Sequence, residues 1–150
     1  MKQHPSAAVI RAWTMLVRAE QRVMASIEGD LKAAQLPPLA WYDLLLELRR
    51  VAPEGLRPVT IEARLLLAQP NVSRLIARLE QKGLVERRPC PDDGRGQLIG
   101  MTASGAALLD RMWPVYRSAI QAHVGDRLGG DDEAEALAAR LARLAAPHGS

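Results

Sequence analysis

One continuous run, residues 70–101, constrains the fold of this chain more than any other feature. Val72, Leu75, Ile76 and Leu79 stand at i, i+3, i+4 and i+7, the apolar stripe of an amphipathic helix over 70–82. Asn71, Arg74, Arg78 and Gln81 fall on the other faces of that helix. Gly83 is a suitable helix stop. Leu84 to Arg88 then alternates as a short strand, and Pro91-Asp92-Asp93-Gly94 is a strong turn. Gln97 to Met101 reads as the returning strand, which closes a β-hairpin. An isolated hairpin is marginal in water, so this one must lean on helices around it.

The rest of the chain supplies helices. Of 150 residues, 22 are Leu and 24 are Ala, with no Phe and only 3% aromatics. Leu and Ala favour helix, and the scarcity of strand formers excludes an all-β sandwich or barrel. Residues 6–34 form a long helix with Ile10, Val17, Met24 and Leu31 seven apart. Val9, Leu16 and Val23 run beside them, so its apolar arc is wider than one packing partner covers. Residues 39–50 and 59–67 are two more helices, separated by a loop at Pro53, Gly55 and Pro58. A fifth helix starts at Thr102 or Ser104 and carries Leu109, Met112, Trp113, Tyr116 and Ile120, with Pro114 inside it as a candidate kink. Gly129-Gly130 breaks the chain, and Asp131-Asp132-Glu133 favours a new helix start. The fold class is therefore mainly α with a small β-hairpin wing. It is a winged helix-turn-helix over 37–101, with a helical dimerisation region built from both chain ends, 1–36 and 102–150.

Several classes of function are disfavoured. The lone Cys90 excludes an intrachain disulfide framework and a multi-cysteine zinc site. His4, His123 and His148 show no paired metal-ligand spacing. No nucleophile elbow, phosphate-binding glycine loop or Cys/His nucleophile pattern is present, so no enzyme, metal or cofactor is expected. Residues 1–30 carry charges at helical intervals rather than the apolar core of a signal peptide. No stretch reaches the roughly 20 apolar residues of a membrane helix. A soluble, cytoplasmic protein is expected, with no membrane partner. The net charge of +3 is compatible with nucleic acid. Residues 60–100 hold seven Lys or Arg against five Asp or Glu.

The residues on the open face of the 70–82 helix suit double-stranded DNA. The major groove admits one helix, where Arg pairs with guanine and Asn with adenine. Asn71, Ser73 and Arg74 project near the helix N-terminus, which also favours phosphate. Arg78 either follows the groove or pairs with an acid. Arg64, on the preceding helix, is a candidate phosphate contact. Arg87 and Arg88 are successive strand positions and face opposite sides, so at most one of them, taken as Arg88, faces DNA.

Three pieces in order give the chain a family likeness. They are Gln69-Pro70-Asn71-Val72-Ser73-Arg74-Leu75 running on to Gly83-Leu84-Val85, then Asp92-Asp93-Gly94-Arg95, then Met101-Thr102 with Gly105 and Leu108-Leu109. Together they resemble the core of the MarR family of bacterial transcriptional regulators. In the helix-helix turn, where the family often has a small residue and a Ser or Thr cap, this chain has Leu66 and Ala68. Capping is left to Gln69 or Asn71. The resemblance implies a homodimer acting on a pseudo-palindromic operator, a repressor role, and Arg95 as a minor-groove probe at the wing tip. The alternative for Arg95 is a pair with Asp93. The resemblance also implies release by a small, often aromatic, effector bound between the dimerisation helices and the winged domain. Trp13, Trp41, Tyr42, Trp113 and Tyr116 are candidate lining, and Arg11, Arg18 or Arg49 a candidate carboxylate partner. As core or dimer filler these aromatics would have no such role. Two other readings stay open. One is a winged helix used only for protein contact. The other is a redox-responsive regulator acting through Cys90, whose sequence neighbours Arg87 and Arg88 favour a thiolate.

Overall fold

The computed structural model describes residues 3–91 and 96–148. The order of elements is α1 (Ala7–Ala33), α2 (Leu39–Val51), α3 (Pro58–Arg64), α4 (Val72–Gln81), β1 (Val85–Pro89), β2 (Gln97–Met101), α5 (Ala103–His123), a 3₁₀ turn (Gly125–Arg127) and α6 (Asp131–Ala145). The chain is mainly helical with one antiparallel hairpin, as its patterning implies. Two compact units emerge. One contains residues 31–115, and the other contains residues up to 30 together with 116 onward.

The core of the 31–115 unit is the sum of the apolar stripes. Leu44, Leu45 and Leu48 of α2, Ile61 of α3, Ile76 and Leu79 of α4, Ile99 of β2 and Leu109 and Met112 of α5 are all fully buried. β1 pairs with β2 in the register Val85↔Met101 to Pro89↔Gln97. A third strand position adds to the hairpin, because Leu56 exchanges two backbone bonds with Ile99, N to O at 2.9 Å and 2.8 Å. The Pro53-to-Pro58 loop is thus more than a connection. Gly55 makes it possible: its φ is +84°, and a Cβ there would sit 2.6 Å from the Ile99 carbonyl oxygen.

Both ends of α4 are fastened. Asn71 is its N-cap, with Oδ1 accepting from the Arg74 N–H at 2.9 Å, which resolves the choice between Gln69 and Asn71. Gly83, at φ +73°, ends it. Thr102 opens α5: its hydroxyl donates to the Gly83 carbonyl at 2.6 Å and accepts from the Gly105 N–H at 3.1 Å. α5 runs unbroken through Pro114.

The third helix is shorter than the 59–67 expected. It stops at Arg64, and Leu65 turns to φ −58°, ψ 134°. The cause is a side chain from another helix. Asp43 of α2, buried to 7% exposure, accepts from the N–H groups of Leu66 (Oδ1, 3.1 Å) and Leu67 (Oδ2, 2.8 Å). Those two groups are taken from the helix ladder, so apolar Leu65 to Leu67 form the turn rather than another helical turn.

In the other unit α1 begins exposed and ends buried: Val9, Ile10 and Trp13 face solvent, whereas Ile27 is covered. His123 Nε2 lies 2.8 Å from Asp30 Oδ2, tying the end of α5 to α1. α6 starts after Gly130 with the three acids in its first turn, and none of its residues is buried.

Because α4 is held by its stripe, Leu79→Ala should lower the unfolding free energy by about 2–5 kcal/mol. Leu66→Ala, at a side chain 77% exposed, should change it by less than about 0.5 kcal/mol. Urea denaturation of the two variants checks the contrast.

Candidate nucleic-acid interface

α4 divides cleanly into two faces. Val72, Ile76 and Leu79 are buried, while Ser73, Arg74, Ala77, Arg78 and Gln81 are exposed. At 100° per residue these five fall on one side of the helix. Arg74 and Arg78 are one turn apart, and neither has a hydrogen bond or ion pair from its side chain among the described residues. Arg64, at the end of α3, is likewise exposed. The acid on α4 that would have quenched this face is taken up elsewhere: Glu80 Oε1 accepts from Arg87 Nε at 3.1 Å.

The strand arginines behave differently from those of α4. Arg87 binds Glu80 and also Gln97 Oε1, at 3.1 Å. Arg88, the strand residue expected at DNA, binds Glu86 at 3.0 Å and the Pro53 carbonyl at 2.5 Å. Its guanidinium lies across Gly100, so it clasps the hairpin to the loop that carries Leu56. Sequence spacing gave the opposite facing of the two side chains, but not these partners. Arg95, with Asp92, Asp93 and Gly94, lies outside the described residues.

Asn71 has two demands on it. Its Oδ1 caps α4, which leaves the amide nitrogen as its donor. Cys90 is buried beside the wing and is met by Arg57, whose Nη2 lies 3.1 Å from Sγ. The guanidinium that meets the thiol directly is therefore that of Arg57, which is distant in sequence, while Arg87 and Arg88 bond to other groups. Arg57, Arg88 and Glu54 also line a groove of about 550 Å³ along that side.

Of the candidate ligand residues, Tyr42 and Trp113 come together as a stack, with ring centroids 6.3 Å apart and planes 20° apart. Burial pushes the Tyr42 hydroxyl above its ordinary pKa, against the lowering pull of Arg49 and Arg50. Trp41 is half-buried on α2, and Trp13 is exposed on α1. Arg49 is occupied by Asp110 (2.9 Å) and the Ala106 carbonyl (3.2 Å). A cavity of about 620 Å³ in the other unit is lined by different residues, among them Arg22, Val23, His123, Arg127, Leu128 and Leu137. Among the described residues, no three His, Cys, Asp or Glu side chains form a metal-ligand set, and no helix is long and apolar enough to cross a membrane.

A helix with one face docked and one basic face open, followed at once by a hairpin, defines a winged helix-turn-helix protein. Residues 34–96 match the model of the MarR family. A curated relative, an uncharacterized HTH-type transcriptional regulator of Bacillus anthracis, is 27% identical over 125 residues, 83% of this chain and 80% of that protein. Among solved structures, Sco3205 of Streptomyces coelicolor, a MarR family transcriptional regulator in complex with DNA, matches with a TM-score of 0.86. It is 26% identical and covers 97% of this chain and 90% of its own. BpsR of Bordetella bronchiseptica, whose DNA binding is regulated by 6-hydroxynicotinic acid, matches with a TM-score of 0.79 at 25% identity, over 99% of this chain and all of its own. Residues 34–96 thus match the MarR family model, and the fold is similar to that of MarR family regulators over nearly the whole chain.

The cap and any base-reading role of Asn71 are separable. Asn71→Ala should cost about 1 kcal/mol of stability, and Asn71→Ser should restore most of it because a hydroxyl caps as well. Thermal melts of the two variants check this.

Proposed function

We propose that this protein is a homodimeric, sequence-specific DNA-binding transcriptional repressor, relieved by a small aromatic ligand. The observation that carries the reading is the placement of Arg74 and Arg78 together on the open face of α4, directly before the hairpin and unpaired among the described residues, whereas the strand arginines Arg87 and Arg88 are spent on partners within the fold. In the major groove Arg74 and Arg78 meet guanine edges and phosphates. Arg95 at the wing tip is assigned to the minor groove, where negative potential draws a guanidinium, and Arg64 to phosphate.

Two observations support the dimer. A chain of net charge +3 neutralises few phosphates alone, whereas a two-fold pair doubles the charge and spans half-sites about 34 Å apart on a pseudo-palindromic operator. Val9, Ile10, Trp13 and Leu16 of α1 and Leu137, Leu141 and Leu144 of α6 are large apolar side chains left exposed in the single chain, which a second copy would cover. Ligand relief is supported by the regulation of BpsR by 6-hydroxynicotinic acid. A ligand acts by preferring a dimer whose two recognition helices no longer match the groove spacing.

Three outcomes are expected. Arg74→Ala costs about 1–3 kcal/mol of binding and relaxes specificity at one base pair; equal losses on specific and random duplexes would remove its base-reading role. Arg95→Ala lowers the slope of log K against log salt by about one, and an unchanged slope would leave it as a turn residue. In analytical ultracentrifugation the wild type sediments at twice its chain mass and Trp13→Glu shifts it toward monomer. A monomeric wild type would refute the dimer.

A further inference from the structure

We infer that Asp43 is the positioning residue of α4, fixing the angle of the recognition helix through the backbone of the turn before it; this rests on the DNA-reading role proposed for α4. The turn between α3 and α4 runs through Leu65, Leu66, Leu67 and Ala68. It contains no glycine, and among the described non-glycine residues only Gln35 has positive φ. The turn is therefore made without a left-handed residue. Packing is incomplete there: Leu66 is largely exposed, and Leu65 and Leu67 are partly buried rather than in the core. What holds the turn is the Asp43 carboxylate, with one oxygen on each of two successive N–H groups, at 3.1 Å and 2.8 Å. Charge-assisted bonds of this kind are stronger and shorter than neutral ones.

The mount on which Asp43 sits is rigid. Its neighbours Leu44, Leu45 and Leu48 are fully buried, and Arg49 of the same helix ties α2 to α5 at Ala106 and Asp110. From Leu67 only three residues lead to the Asn71 cap, so the grip on the turn is transmitted directly to Ser73 and Arg74. Two side-chain acceptors act in series: Asp43 sets where the turn lies, and Asn71 sets where the helix begins. In a groove that reads base edges, a small tilt at the helix start costs base contacts but leaves phosphate attraction intact, because the cations remain.

Asp43→Asn tests this with little change of volume. An asparagine presents one oxygen and one NH₂, so one of the two N–H groups faces a donor. In hydrogen-exchange NMR of the full chain, the amides of Leu66 and Leu67 should exchange at least tenfold faster in the variant, with those of Ile76 and Leu79 unchanged. Leu66→Ala should change none of them. In a second arm, duplexes are selected from a random pool with the wild type. Affinity of Asp43→Asn for the enriched duplex should fall about tenfold or more, while affinity for a random duplex stays the same. Unchanged exchange at Leu66 and Leu67 overturns the inference. So does acceleration throughout α4, which would make Asp43 a stability residue only, and so does retained selectivity. If the wild type enriches no sequence, the DNA-reading role falls, and with it the inference that Asp43 positions a reading helix; the exchange arm then still shows separately whether Asp43 holds the turn.

Discussion

A ten-residue helix such as α4 is too short to be stable by itself in water. Its existence depends on the burial of Val72, Ile76 and Leu79 against the rest of the 31–115 unit. That one apolar stripe does two things at once. It supplies the stabilisation the helix lacks, and it forces Ser73, Arg74, Ala77, Arg78 and Gln81 outward together. The basic face is therefore a consequence of the core.

Around that stripe, polar groups remove the remaining freedom. Asp43 holds the turn, Asn71 caps the helix start, and Thr102 fastens the Gly83 turn to α5. Arg87 consumes Glu80, and Arg88 clasps the hairpin to the Pro53 loop. Individually, exposed ion pairs such as Arg87–Glu80 are worth little in stability. Their larger effect is on charge: each paired arginine is matched within the fold, and the cations of α4 are left open.

Much of this was legible in the sequence because it is local. The 3-4-3 spacing of the α4 stripe, Gly83, the alternation after it and the Pro91-to-Gly94 turn pointed to a helix and a hairpin. The acids after Gly130 marked a helix start. What escaped was non-local. Nothing near Leu66 says that Asp43, on another helix, will capture its N–H, so α3 was expected three residues too long. Leu56 carries no strand signature, since its bridge to Ile99 depends on a close approach at Gly55. Arg57 lies far from Cys90 in sequence, and the Pro53 carbonyl that Arg88 meets is on a distant loop. The stack of Tyr42 on Trp113 likewise joins residues on two helices that composition alone cannot pair.

The central claim is that the open face of α4 reads sequence. Fluorescence anisotropy of the wild-type protein, on a duplex from its own upstream region and on a random duplex of equal length at near-physiological salt, tests it most directly. The account predicts binding to the upstream duplex about 10³-fold tighter or more. Equal, salt-sensitive binding to both would contradict it, because attraction to the phosphate backbone alone would then explain the affinity.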